Sequence, residues 1–178
     1  WAEVRWLIEG CNCVRKRELK AGAKLNPDES VIAWKGKSGV GGLPHLSFIK
    51  RKPEPLGLEL KGVCDGESGV CLFLEPQEGA VRMARKKFLR DHKAHTASTL
   101  RLVEGCGVND GAKRTVYIGS WFCSVATMQA LRQFNCHTVG TIKTAHSGYP
   151  TEAMRWTLKD MQRGKARSLN WRARRCGQ

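Results

Sequence analysis

Residues 114–124 read RTVYIGSWFCS: an apolar run, Thr115-Val116-Tyr117-Ile118, a polar turn, and a helical pattern from Ser124 to about Phe134. In open α/β sheets the carboxyl ends of strands are where ligands and catalytic acids gather. Here that place is held by Gly119 and Ser120, neither of which carries a carboxylate. Asp28, which follows Pro27 in LNPDES, has the oxygen ligand type that a hard divalent cation takes; taken alone it equally suits a turn or a helix N-cap. Asp65 in CDGES fits a hairpin turn better than a metal site. Cys123, beside Trp121 and Phe122, has the type of a thiol nucleophile. No histidine is placed near it as a base, so a buried thiol is the expectation.

The cysteines stand at 11, 13, 64, 71, 106, 123, 136 and 176, with no C-x-x-C pair. Zinc modules need close ligand pairs to preorganise half of a tetrahedron. Cys11-Asn12-Cys13 is too close for the usual knuckle, and His92 and His95 lack an accompanying cysteine pair, so structural zinc is not expected. Free thiols in a reducing compartment are expected instead. The glycine- and lysine-rich KGKSGVGG does not place a G-K-[ST] ending at the spacing of a phosphate-binding loop, which excludes that reading.

The elements that would position these residues follow from periodicity. VIAW reads as a strand after the LNPDES segment, and the alternating HLSFIK as another, ended by RKPEP. GLELKGVC and GVCLFLE read as two strands of a hairpin turning at Asp65–Gly69, with Gly66 and Gly69 supplying the turn. VRMARKKFLRDH, 81–92, suits a basic helix or helical turn, and TASTLRLVEG a second helix with Thr96 or Ser98 as N-cap. Val125, Met128, Leu131 and Phe134 recur at helical spacing and read as core contacts. TVGTIKT is the next strand, so 115–144 forms a strand–helix–strand unit of the kind that makes a parallel pair. Hairpins first and such a unit second predict a mixed sheet with flanking helices.

The 178 residues suffice for one domain with a core, and 41% hydrophobic content argues against wholesale disorder. The net charge of +15 points to a polyanionic partner, nucleic acid before an anionic membrane surface. Lys50-Arg51-Lys52, Arg85-Lys86-Lys87 and the basic residues of 172–175 are candidate phosphate contacts; a solvated basic surface is the plainer reading. No run approaches the length of a membrane span and no signal peptide is visible. The start at Trp1 carries the expectation that an N-terminal part is missing or that the sequence is a fragment of a longer reading frame.

With these residues in place, a resemblance can be stated. LNPDESVIAWKGKSG, LPHLSFIKRKPEPLGLELKGVCD, YIGSWFCSVATMQALRQF and TVGTIKTAHSGYP, in that order over residues 25–149, resemble blocks of the catalytic domain of piggyBac-type DNA transposases and of the transposable-element-derived proteins related to them. The resemblance implies an RNase H-like α/β fold, here expected to be incomplete at the C-terminus. It divides the chain into an N-terminal basic segment (1–24), the partial transposase domain (25–150) and a basic C-terminal helix or tail (151–178). It also implies chemistry: three aspartates holding two Mg²⁺ ions for in-line phosphoryl displacement. Carried over, the first falls on Asp28 and the second on Gly119, so this sequence departs from the pattern where a ligand is needed. The third belongs on a later strand, which is not seen before Gln178; Asp160, in a basic helical stretch, is no substitute.

The expectation is therefore a transposase domain without productive Mg²⁺ binding or catalysis. It would be nuclear, with weak non-specific DNA binding through Lys50, Arg51, Lys52, Arg85, Lys86 and Lys87, and with no membrane partner. The alternatives are a co-opted protein-interaction module in chromatin and an active metal-dependent strand transferase.

Overall fold

In the computed structural model, residues 2–37, 44–143, 148–162 and 165 are described. Helix α1 spans Ala2–Glu18. Strands β1 (Lys24–Ala33), β2 (Ser47–Phe48), β3 (Leu56–Asp65) and β4 (Cys71–Pro76) follow, then the short helix α2 (Ala80–Met83) and helix α3 (Ala94–Gly105). Strand β5 (Arg114–Ile118), helix α4 (Val125–Ala130) with a 3₁₀ turn over Leu131–Phe134, strand β6 (Cys136–Gly140) and helix α5 (Thr151–Leu158) complete the order.

One mixed sheet runs β2-β3-β1-β5-β6, with β4 also on β3. β1, β2 and β4 each pair antiparallel with β3, while β5 lies parallel to both β1 and β6. This is the RNase H-like α/β arrangement expected, and the strand–helix–strand unit makes its parallel pair as expected. The hairpin is also where the sequence puts it. Asp65 Oδ2 accepts from the Ser68 N–H and Ser68 Oγ, each at 2.8 Å, and Oδ1 accepts from the Gly22 N–H at 3.1 Å. Those bonds, from Ser68 foremost, hold the Asp65 carboxyl below the usual carboxylate range. Asp65 is thus a turn residue that also ties the hairpin to the entry of β1.

The core forms where Leu25, Val63, Val116 and Ile118 from the sheet meet Leu100 and Val103 of α3 and Phe122 and Leu131 beyond β5. Burial makes α3 polar contacts obligatory, because a buried charge is tolerated only when paired. Arg101 forks onto Glu75 of β4 with bonds of 2.7 and 2.8 Å, and both residues are buried. Thr96 Oγ1 lies 2.8 Å from Thr127 Oγ1 of α4. At the sheet edge, Asn12 of α1 gives its amide N–H to Leu74 O at 2.7 Å and accepts from the Leu74 N–H at 3.0 Å. That side chain occupies β4 backbone groups that would otherwise be open at an edge.

Two element expectations are corrected and one is narrowed. The strand does not begin at VIAW: β1 runs continuously from Lys24 to Ala33, and Asp28 lies inside it, neither in a turn nor at an N-cap. Of the helix or helical turn expected over 81–92, the structure has the turn, Ala80–Met83. Phe88 adopts φ 70°, which no helix permits, and packs edge-on to Phe134 at 6.4 Å, so core packing overrides local propensity. Helix α3 starts earlier than expected, with Lys93 at its N-cap, and Thr96 and Ser98 are buried within it. The basic residues of 172–175 and Cys176 lie outside the described residues.

Candidate metal centre

The site is set by how β1 and β5 part. The two strands pair at Lys24↔Thr115 and Leu25↔Val116, and no further. The Thr115 N–H donates to Ala23 O at 2.8 Å, so strand alternation turns the backbone of Ala23, Leu25 and Pro27 toward β5. Pro27 has no N–H to donate, and the ladder stops there. Beyond it the strands enclose a cleft of about 510 Å³ lined by Asn26, Asp28, Tyr117, Gly119, Gly140 and Thr141, among others. Continued by three residues, the register of the pair sets Asp28 across from Gly119.

The Asp28 side chain is exposed, and its Oδ1 accepts the Glu29 N–H at 2.8 Å. The Gly119 carbonyl accepts the N–H groups of Phe122 and Cys123, both at 3.1 Å, which closes the turn leaving β5. Phe122 anchors that turn in the core at 1% exposure, and Ser124 caps α4 by accepting the Thr127 N–H at 3.1 Å. A Cβ placed on Gly119 would meet nothing within 4 Å, and its φ is not in the left-handed region. The glycine is required neither by space nor by backbone. Gly140 on the facing strand differs: a Cβ there would come within 2.7 Å of both Cys123 Sγ and Ile118 O.

The donor set does not fit a pair of Mg²⁺ ions. Two such ions need several carboxylate oxygens, and among the described residues Asp28 is the one carboxylate lining the cleft. Among the described residues no group of three or more His, Cys, Asp or Glu side chains could hold a metal ion. His95 Nε2 instead lies 3.2 Å from Ser124 Oγ, and the His92 ring lies tilted beside Phe88 with 6.5 Å between ring centroids. Cys123 is fully buried, and burial pushes its thiol up, which disfavours the thiolate a nucleophile requires.

The six basic candidates have different surroundings. Lys50 and Arg85 are exposed. Arg51 ion-pairs with Glu29, and Lys52 Nζ donates to Glu29 O at 3.0 Å. Lys86 Nζ lies 3.4 Å from Glu78 and 3.7 Å from Glu75. Lys87 pairs with Glu104 at 2.5 Å and sits 4.8 Å from the Phe88 ring centre. Two residues near the cleft were not singled out from sequence. Glu29 directs its carboxylate to the opposite face of β1 from Asp28, where Arg51 and Lys52 meet it. Lys61, buried in β3, lies 4.5 Å over the Trp121 ring and bonds Gln77 Oε1 at 2.8 Å. The period-two alternation of β1 would have exposed the Asp28/Glu29 division had 24–33 been read as one strand.

Fold and cleft together define an RNase H-like domain of the transposase class. A family model described as Transposase IS4 matches residues 1–170. The chain belongs to that family, as a piggyBac-type transposase domain. Among solved structures it is similar to the piggyBac transposase of a synaptic complex with hairpin DNA, with a TM-score of 0.69 and 19% identity, over 92% of this chain and 30% of that one. The chain thus spans less than a third of the length of that transposase. A pre-cleavage Mos1 transpososome also matches, with a TM-score of 0.32 and 17% identity over 85% of this chain and 47% of that one, too low a score to carry weight. Comparison with curated protein sequences gave no match.

Proposed function

We propose that this domain keeps a DNA-handling transposase fold without a working phosphoryl-transfer centre. Transposases of the DDE type depend on divalent metal, which carboxylates must hold. The observation that carries the reading is Gly119, set opposite Asp28 in the cleft where the resemblance places a second aspartate. Asp28 alone supplies too few hard oxygen ligands to fix and neutralise two cations.

DNA is the proposed partner, bound weakly and without sequence preference, which assigns the protein's work to the nucleus. The net charge of +15 supports this, with Lys50 and Arg85 as its most available candidate contacts. A second reading, a protein-interaction platform, draws on Trp6, Leu7 and Val14, which are exposed on α1.

The test is incubation of the chain with supercoiled plasmid and Mg²⁺ or Mn²⁺, beside a salt series of duplex binding. No nicking, with binding that weakens steeply in salt, is the expected result. Nicking that Asp28→Ala removes would overturn the inactive assignment. Retention on DNA that ignores salt would overturn the phosphate-contact assignment.

A further inference from the structure

One pair of nucleophilic side chains lies outside everything described so far. Cys64 near the end of β3 and Cys71 at the start of β4 face each other in register across the hairpin. Their neighbours fix the kind of position. The Asp65 N–H donates to Val70 O at 2.9 Å, so alternation puts the next pair, Cys64 and Cys71, at a non-hydrogen-bonded position. Facing Cα atoms approach to about 4.5 Å there. A disulfide accepts Cα separations of roughly 4.4–6.8 Å, so the bond needs no gross backbone movement. The register shifts between Val63 and Cys64, an irregularity of the kind that adds local twist to a strand pair.

Cys71 Sγ donates to Phe73 O at 3.6 Å, and burial foremost, then Cys71 and the Asp28 carboxylate, push the Cys64 thiol up. Both side chains are half-buried, so a small reagent reaches them. The other described cysteines differ. Cys106, Cys123 and Cys136 are buried, and Cys11 and Cys13 stand two apart on α1, where such neighbours do not face each other.

We propose that Cys64 and Cys71 are a modification site that closes to a reversible intramolecular disulfide, with a small disulfide of the glutathione class as oxidant. One protein thiolate attacks a sulfur of glutathione disulfide; that S–S bond breaks, and one glutathione thiolate leaves and takes up a proton. The second protein thiolate then attacks the protein-bound sulfur of the mixed disulfide. The Cys64–Cys71 bond forms, and the second glutathione leaves and is protonated in turn. Two electrons pass from the protein dithiol to the reagent, which ends as two glutathione thiols.

In the β1–β3 register Asn26 faces Cys64 and Asp28 faces Gly62, so the bond would form two residues along β3 from the cleft acid. The site does not depend on the transposase reading, and either can fail alone.

The folded chain is equilibrated with oxidised glutathione, quenched in acid, alkylated and digested with trypsin. Both cysteines fall in one tryptic peptide, 62–82, bounded by Lys61 and Arg82. The expected peptide carries no alkyl group, is lighter by two hydrogens, and returns to the doubly alkylated form after dithiothreitol. Cys64→Ser and Cys71→Ser should each leave the remaining thiol alkylated or glutathionylated. A doubly alkylated or doubly glutathionylated peptide from the folded wild-type chain, while the unfolded chain oxidises in the same buffer, would overturn the proposal.

Discussion

At position 119 the side chain is a single hydrogen, and everything proposed about catalysis follows from it. Open space within 4 Å of the position means Gly119→Asp should fold without a steric cost. The variant's thermal midpoint should match the parent's to within a few degrees, measured by circular dichroism. A larger fall would mean that the turn leaving β5 tolerates only glycine. Asp65 offers a separate prediction. Its folded carboxyl is held below the usual range, so its contribution to stability is present above the unfolded value of about 4 and is lost as pH falls through the folded one. The Arg114 guanidinium holds the Asp110 carboxyl down in the same sense. Acid titration of stability should therefore steepen below about pH 4, and Asp65→Asn should flatten that limb. An identical limb in the variant would show that Asp65 does not titrate with folding.

At the element scale, the turn between β5 and α4 should be the most sensitive place for a single truncation. Phe122 is fully buried and sits edge-on to Trp121 with ring centroids 4.7 Å apart. Phe122→Ala should cost about 3–5 kcal/mol in a denaturant titration, because it leaves a cavity where β5, α4 and the core meet. A cost below about 1 kcal/mol would mean that the turn is not anchored there. This element was legible in the sequence because its signals agree: an apolar strand, a polar turn and apolar residues at helical spacing. The β3–β4 hairpin was legible for the same reason, through Asp65, Gly66 and Gly69. β1 was cut short in the reading because Pro27-Asp28-Glu29 carries turn chemistry. Its proline is tolerated because the missing N–H falls where the β5 ladder ends, a tertiary fact without a local signal. Over 81–92 the local pattern does not decide between a full helix and a single turn, because the pull of Phe88 into the core is equally nonlocal. Asp28 and Gly119 were legible as a pair only through the order of the matching blocks. Which basic residues are already neutralised, such as Lys86 by Glu75 and Glu78, depends on strands distant in sequence.

For the whole molecule, the chain carries a net charge of +15, and Asp28 is the acid among the described residues that line the cleft. Duplex DNA should bind with a dissociation constant of order 10⁻⁴–10⁻⁶ M at physiological salt, whatever its sequence. Lys50→Glu with Arg85→Glu should weaken it more than changes at Lys86, whose charge is already met by Glu75 and Glu78. Equal losses in electrophoretic titrations would show that the internal pairing does not limit contact. The central claim is that this fold lost its metal centre at one strand end. Calorimetric titration of Mn²⁺ into the wild-type chain, Gly119→Asp, and Gly119→Asp with Asp28→Ala tests it directly. The account predicts no Asp28-dependent binding at millimolar metal in the wild type, a gain in the single variant, and loss of that gain in the double variant. Wild-type binding that Asp28→Ala abolishes would contradict it.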